Sequence, residues 1–161
     1  MKPTRHPLFI PTGAGDLARF PPDMAMIAKL ESSFTLLSVP SSGFPERVYH
    51  RLFNVCPHLR SLFPKDMQVQ HLKLVATLQT VIDHLRDPKA IHTRLLELGR
   101  AHVAYGARPE HYPVVTREIV GAMGDVAGKA WSEDLAAEWT SAIGMVSAIM
   151  IEGGRGVRGG V

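Results

Sequence analysis

His102 lies in the stretch Leu98-Gly99-Arg100-Ala101-His102-Val103-Ala104-Tyr105-Gly106-Ala107-Arg108-Pro109-Glu110-His111-Tyr112, one helical turn after Leu98 and among the small residues Gly99, Ala101 and Ala104. The helix that carries it is expected to end near Gly106, and the next to open at Pro109. Such a segment aims one imidazole into an apolar cleft and holds it there. The chemistry open to it is ligation of a metal by a neutral ring nitrogen. Taken alone, a single histidine of this kind is more often a hydrogen-bonded core residue than a ligand. The decision rests on what other segments place around it.

The preceding long helix, expected over about Asp66 to Leu85, puts Leu74, Leu78, Val81 and Leu85 on one face. Counting back one turn from Leu74 sets Gln70 at the mouth of that face. A rival frame uses His71 there, with Val75 one turn on. It turns Gln79 and Asp83 inward, which is costly without partners, so Gln70 with Leu74 is the preferred frame. Two further segments add aromatic residues: Tyr49-x-Arg51-Leu52-Phe53, and then Pro57-x-Leu59-x-x-Leu62-Phe63.

These residues must be positioned by helices. Residues 1–21 hold Pro3, Pro7, Pro11, Pro21, Gly13 and Gly15 and read as an irregular arm. Gly13-x-Gly15 follows no strand pattern, so a phosphate loop is not indicated. Pro22-Asp23 is a helix start, and Met26, Ile27, Leu30, Phe34 and Leu37 recur at helical spacing. A second helix is expected over about Pro45 to Asn54, a short turn from Pro57, and the helix from Asp66 to Leu85. Others run from Asp87-Pro88 to near Gly106 and from Pro109 to about Ala127. The last follows the cap Trp131-Ser132-Glu133-Asp134 and reaches Ile151, with Gly153-Gly154 as its stop. No segment alternates as a half-buried strand does. The expectation is an all-α fold of some seven or eight helices: an arm over 1–21, one domain over 22–152, and a flexible Gly/Arg tail over 153–161.

A chain of 161 residues, 45% hydrophobic, suits one domain with one core. The formal charge is only +3. The tail has two arginines and no aromatic residue, so nucleic-acid binding is not expected. The single cysteine, Cys56, excludes an internal disulfide and suits a reducing cytoplasm. Leu8-Phe9-Ile10 is cut by Pro7 and Pro11, too short for a secretory signal. No apolar run approaches the roughly 18 residues of a membrane span. A monomer or homodimer is expected.

The ordered set Tyr49, Phe63, Gln70, Leu98, His102, Pro109 and Tyr112 resembles flavohaemoglobins and single-domain bacterial globins. The resemblance extends through Met67-x-x-Gln70-x-x-Lys73-Leu74 and Trp139 and covers about residues 25–151. It implies the globin fold and a b-type haem whose iron is ligated by His102, five-coordinate when ferrous. It also implies a cofactor pocket drawn from Phe63, Gln70, Lys73, Leu74, Leu98, His102 and Tyr112. Tyr49, Gln70 and Leu74 would face a diatomic ligand: O2, and with it NO and CO. Lys73 is either a propionate partner or a solvated lysine. The implied function is gas binding, sensing or delivery. The alternative is NO dioxygenation, in which Tyr49 and Gln70 serve catalysis and a separate reductase supplies electrons.

One departure from that family is legible. Flavohaemoglobins carry a glutamate in the last helix that bonds, with a tyrosine, near the proximal histidine. Tyr112 matches the tyrosine, but the glutamate position counts to about Gly156, past the expected helix end. His102 is then expected to bond a neutral acceptor, most plausibly a carbonyl of its own helix. The rival class is a haem-free globin-like interaction module, which a Soret band in the purified protein would exclude.

Overall fold

The computed structural model describes residues 23–158; the expected arm over 1–21 lies outside them, as does the end of the tail. Among the described residues there are six α-helices, three short 3-10 turns and no strand. The helices are α1 Met24–Leu37, α2 Phe44–Val55, α3 Gln68–Asp83, α4 Pro88–Ala104, α5 His111–Ala127 and α6 Glu133–Arg158. The 3-10 turns are Pro40–Ser42, Pro57–Leu62 and Gly128–Ala130.

Local chemistry accounts for the starts. Asp23 accepts the Met26 N–H at 2.8 Å and caps α1. Ser132 accepts the Leu135 N–H at 3.1 Å at the head of α6. Asp66 accepts the Gln68 N–H at 3.0 Å, which brings the start of α3 to Gln68. The core gathers Phe34, Phe44, Leu78, Leu95, Met123 and Trp139, all buried. The Trp139 indole N–H donates to the Ser33 hydroxyl at 2.9 Å, so its polar end is satisfied inside the packing. The helix Glu133–Val157 is long and apolar enough to cross a membrane by length and composition alone. In the fold, Trp139, Ala142, Ile143 and Val146 of this helix belong to the core.

The end of α6 corrects the sequence expectation. Gly153-Gly154 does not stop the helix, which continues to Arg158, so residues 153–158 are no loose tail. The reason is packing. α4 and α6 form the most extensive helix contact in the fold. A Cβ at Gly99 would collide with the Met150 carbonyl, and one at Gly153 with the Leu96 carbonyl. The glycines are there so that two backbones can touch, and they stay helical.

A second clamp joins α2 to α5. Arg51 reaches across Gly121 to Glu118, at 3.0 Å, and to Asp125, at 2.9 Å, and Arg47 adds a bond to Asp125 at 2.8 Å. The Arg47 guanidinium, with Arg51 beside it, holds the Asp125 carboxyl below its ordinary value. Tyr49 stands between these two arginines on α2, so the clamp fixes the helix that carries it.

If the α4–α6 crossing rests on backbone contact, Gly153→Ala is expected to cost about 1–3 kcal/mol in urea unfolding. Gly156→Ala, where a Cβ meets nothing within 4 Å, is expected to be neutral or to gain up to about 1 kcal/mol. Equal effects at the two positions would contradict the close crossing.

Candidate functional site

His102 occupies the last turn of α4. Two bonds lock that turn: Gly106 N–H to the Val103 carbonyl at 3.0 Å and Ala107 N–H to the His102 carbonyl at 2.9 Å. This is the Schellman arrangement, with Gly106 at the left-handed position, φ +94°. Leu62 closes on Gly106, its Cδ2 3.0 Å from where a Cβ would stand, and so docks the 3-10 turn before Phe63 on the end of α4.

The His102 ring is oriented within its own helix. Nδ1 lies 2.8 Å from the Leu98 carbonyl. A carbonyl only accepts, so the ring proton sits on Nδ1 and the Nε2 lone pair is left for a ligand. The expected neutral acceptor is therefore present. The half-buried ring lies 6.3 Å from that of Tyr105 and 6.4 Å from that of Tyr112, centre to centre.

Tyr49 is buried and sits among three rings. Phe63 meets it edge-on at 5.4 Å, Phe53 lies tilted at 5.8 Å, and His71 stacks on it at 5.5 Å with 25° between planes. Gln70 Nε2 donates to the Tyr49 hydroxyl at 3.0 Å. Burial pushes the phenol above its ordinary value, with the Gln70 bond pulling the other way, so it stays neutral at physiological pH. Arg60 fixes the corner at Phe63 by donating to the carbonyls of Phe63, Pro64 and Lys65.

Both candidates on α3 reach Tyr49, each in its own way. Gln70 meets the hydroxyl of Tyr49, while the His71 imidazole lies on the phenol ring, with Nδ1 3.6 Å from the Glu46 carboxylate. Leu74 is half-buried and packs against both core clusters. Lys73 is exposed and forms no ion pair among the described residues.

The first turns of α5 touch both the His102 side and the Tyr49 side. α3 and α4 share no extended packing with one another. The start of α5 connects them: Tyr112 lies beside His102, and Val114 and Val115 pack in the cluster of Tyr49, Leu52 and Leu59. Phe63, Leu74 and Leu98 are half-buried apolar side chains, and Leu74 packs against both core clusters.

Residues of α4, the start of α5 and α6 line a small pocket, with Gly99, Val103 and Tyr112 among them. α6 contributes Met150, Ile151 and Gly154 to the same pocket. Gly156, the expected glutamate position, is exposed, and a Cβ there would have no neighbour within 4 Å. Neither nearby acid takes over. Glu118 is buried but bound by Arg51 and Arg117, and Glu152 is exposed.

This donor set fits a b-type haem: an imidazole with Nε2 unprotonated, apolar residues on two helices that stand apart, and a neutral phenol with an amide on the other side. Sequence reasoning did not find the stacking of His71 on Tyr49, the Arg51 clamp or the backbone contact at Gly153. The glycine pair was the only available signal, and it reads equally as a helix stop.

The globin family model matches residues 46–150. The flavohemoprotein of Bordetella pertussis is 25% identical over 127 residues, covering 77% of this chain and 32% of that protein. The chain thus spans about a third of the length of such relatives. A bacterial globin from Campylobacter jejuni superposes with a TM-score of 0.74 at 17% identity, over 85% of this chain and 99% of that one. A flavohemoglobin from Malassezia yamatoensis, solved with bound FAD and heme, gives a TM-score of 0.71 at 16% identity, over 85% and 37%. Those two likenesses establish the fold, and with the match over most of the domain the chain belongs to the globin family.

Proposed function

We propose that this globin is a haem-dependent gas-binding protein in which His102 is the axial ligand and Tyr49 with Gln70 holds dioxygen by its partial negative charge. Haem supplies the iron that takes up a diatomic gas. The observation that carries the reading is the direction of one hydrogen bond. Gln70 donates to the Tyr49 oxygen, so the phenol proton is not used on Gln70 and can be given to a ligand. A partly charged ligand such as dioxygen gains from that proton, and neutral CO gains little.

Gas binding, sensing or delivery is the leading role. The neutral acceptor on His102 Nδ1 weighs against chemistry that leans on a charged partner. NO dioxygenation is the second reading, favoured by the likeness to flavohemoproteins, and its electrons would come from a separate reductase.

Three outcomes test this. His102→Ala is expected to abolish stable haem retention, or to leave haem whose spectrum added imidazole restores; an unchanged ferrous spectrum and haem affinity would reject His102 as the ligand. Tyr49→Phe is expected to speed dioxygen release about tenfold or more, from a charge-assisted bond of roughly 1.5–3 kcal/mol, with CO release changed far less. Equal effects on both gases would mean that Tyr49 acts by bulk. The ferrous Fe–His stretch, read by resonance Raman, is expected in the low range of a carbonyl-bonded imidazole, and a high, imidazolate-like frequency would contradict the neutral acceptor.

A further inference from the structure

We propose that His71 is a positioning residue for Tyr49, setting the tilt of the phenol and with it the direction of the proton that Tyr49 offers. The inference rests on the distal role of Tyr49 given above. α3 grips Tyr49 with two successive residues at its first turn. Gln70 holds the oxygen at 3.0 Å, and the His71 ring lies on the phenol at 5.5 Å with 25° between planes. One hydrogen bond fixes the position of the hydroxyl but leaves the ring free to turn about it. A flat aromatic neighbour removes that freedom.

The other neighbours cannot do the same. Phe63 meets the phenol edge-on, at 66°, and Phe53 comes from α2 itself, one turn after Tyr49, so it moves with it. His71 alone brings a stacked ring from another helix. Its own placement is guided by Glu46, also on α2, whose carboxylate lies 3.6 Å from Nδ1. The Glu46 side chain is 59% exposed, so the pair serves to steer the ring more than to stabilise the fold. The arrangement ties α2 to α3 around the one phenol on which ligand discrimination depends.

The test uses the haem-loaded protein and the variants His71→Ala, His71→Phe and Tyr49→Phe. His71→Ala is expected to speed dioxygen release roughly two- to tenfold, the range of a lost aromatic pair, and to leave CO release within about twofold. His71→Phe, which keeps a flat ring without Nδ1, is expected to restore most of the wild-type rate. Combined with Tyr49→Phe, His71→Ala is expected to have no further effect. In the CO-bound form, labelled tyrosine carbon should report a shifted Tyr49 resonance in His71→Ala and a near-native one in His71→Phe. An unmoved resonance, or an effect on gas release that persists without the Tyr49 hydroxyl, overturns the proposal. If the resonance moves while dioxygen release does not, His71 does position Tyr49, and the failure lies in the ligand contact assigned to Tyr49.

Discussion

The site hangs on a contact between two backbones. Gly99 of α4 lies against the Met150 carbonyl of α6, and Gly153 of α6 lies against the Leu96 carbonyl of α4. A methyl group at either place would force the helices apart. His102 follows Gly99 by three residues, on the same helix and just past the point of contact. Its height and rotation are therefore set by α6, not by the few side chains that touch the ring. The Schellman lock at Gly106 then prevents the last turn of α4 from unwinding. What reaches the cleft is an imidazole with one nitrogen spent on its own helix and the other held out.

The opposite side is built on another principle. Tyr49 is polar and buried, which is costly unless its oxygen finds a partner. Gln70 supplies that partner without taking the phenol proton. The rings of Phe53, Phe63 and His71 then exclude water around the group, which strengthens any bond that the hydroxyl makes. The clamp from Arg47 and Arg51 to Asp125 and Glu118 holds α2 on α5 so that this enclosure keeps its shape. In the proposed reading, His102 offers a lone pair and Tyr49 a proton. The first turns of α5 set the distance between them.

Much of this was legible in the chain because it depends on local chemistry. Asp23, Pro57, Pro88 and Ser132 mark helix starts by capping or by fixed φ, and periodicity names the buried faces of α1 and α3. The choice of Gln70 over His71 followed from the cost of turning Gln79 and Asp83 inward, and in the structure both are exposed. The end of α6 was not legible. A glycine pair after an apolar helix reads as a stop, and only the partner helix reveals that it is a crossing. His71 was weighed only as a rival for the place of Gln70, because helical spacing gives a residue's direction but not the ring it will meet. The Arg51 clamp was equally hidden, since it joins residues far apart in sequence across a glycine, Gly121, whose only sign is the lack of a side chain.

The same crossing also constrains the chemistry behind His102. Gly154, with Met150 and Ile151, lines the small pocket that Val103 and Tyr112 also line. A Cβ there would come within 2.8 Å of Val103 Cγ2. Placing a carboxylate at this position would therefore need Val103, the residue next to His102, to move. A side chain at Gly154 is thus not a change that leaves α4 undisturbed. The partner of His102 Nδ1 is the Leu98 carbonyl of its own helix, and the close approach of α4 and α6 that positions that helix also limits the side chains that fit against Val103.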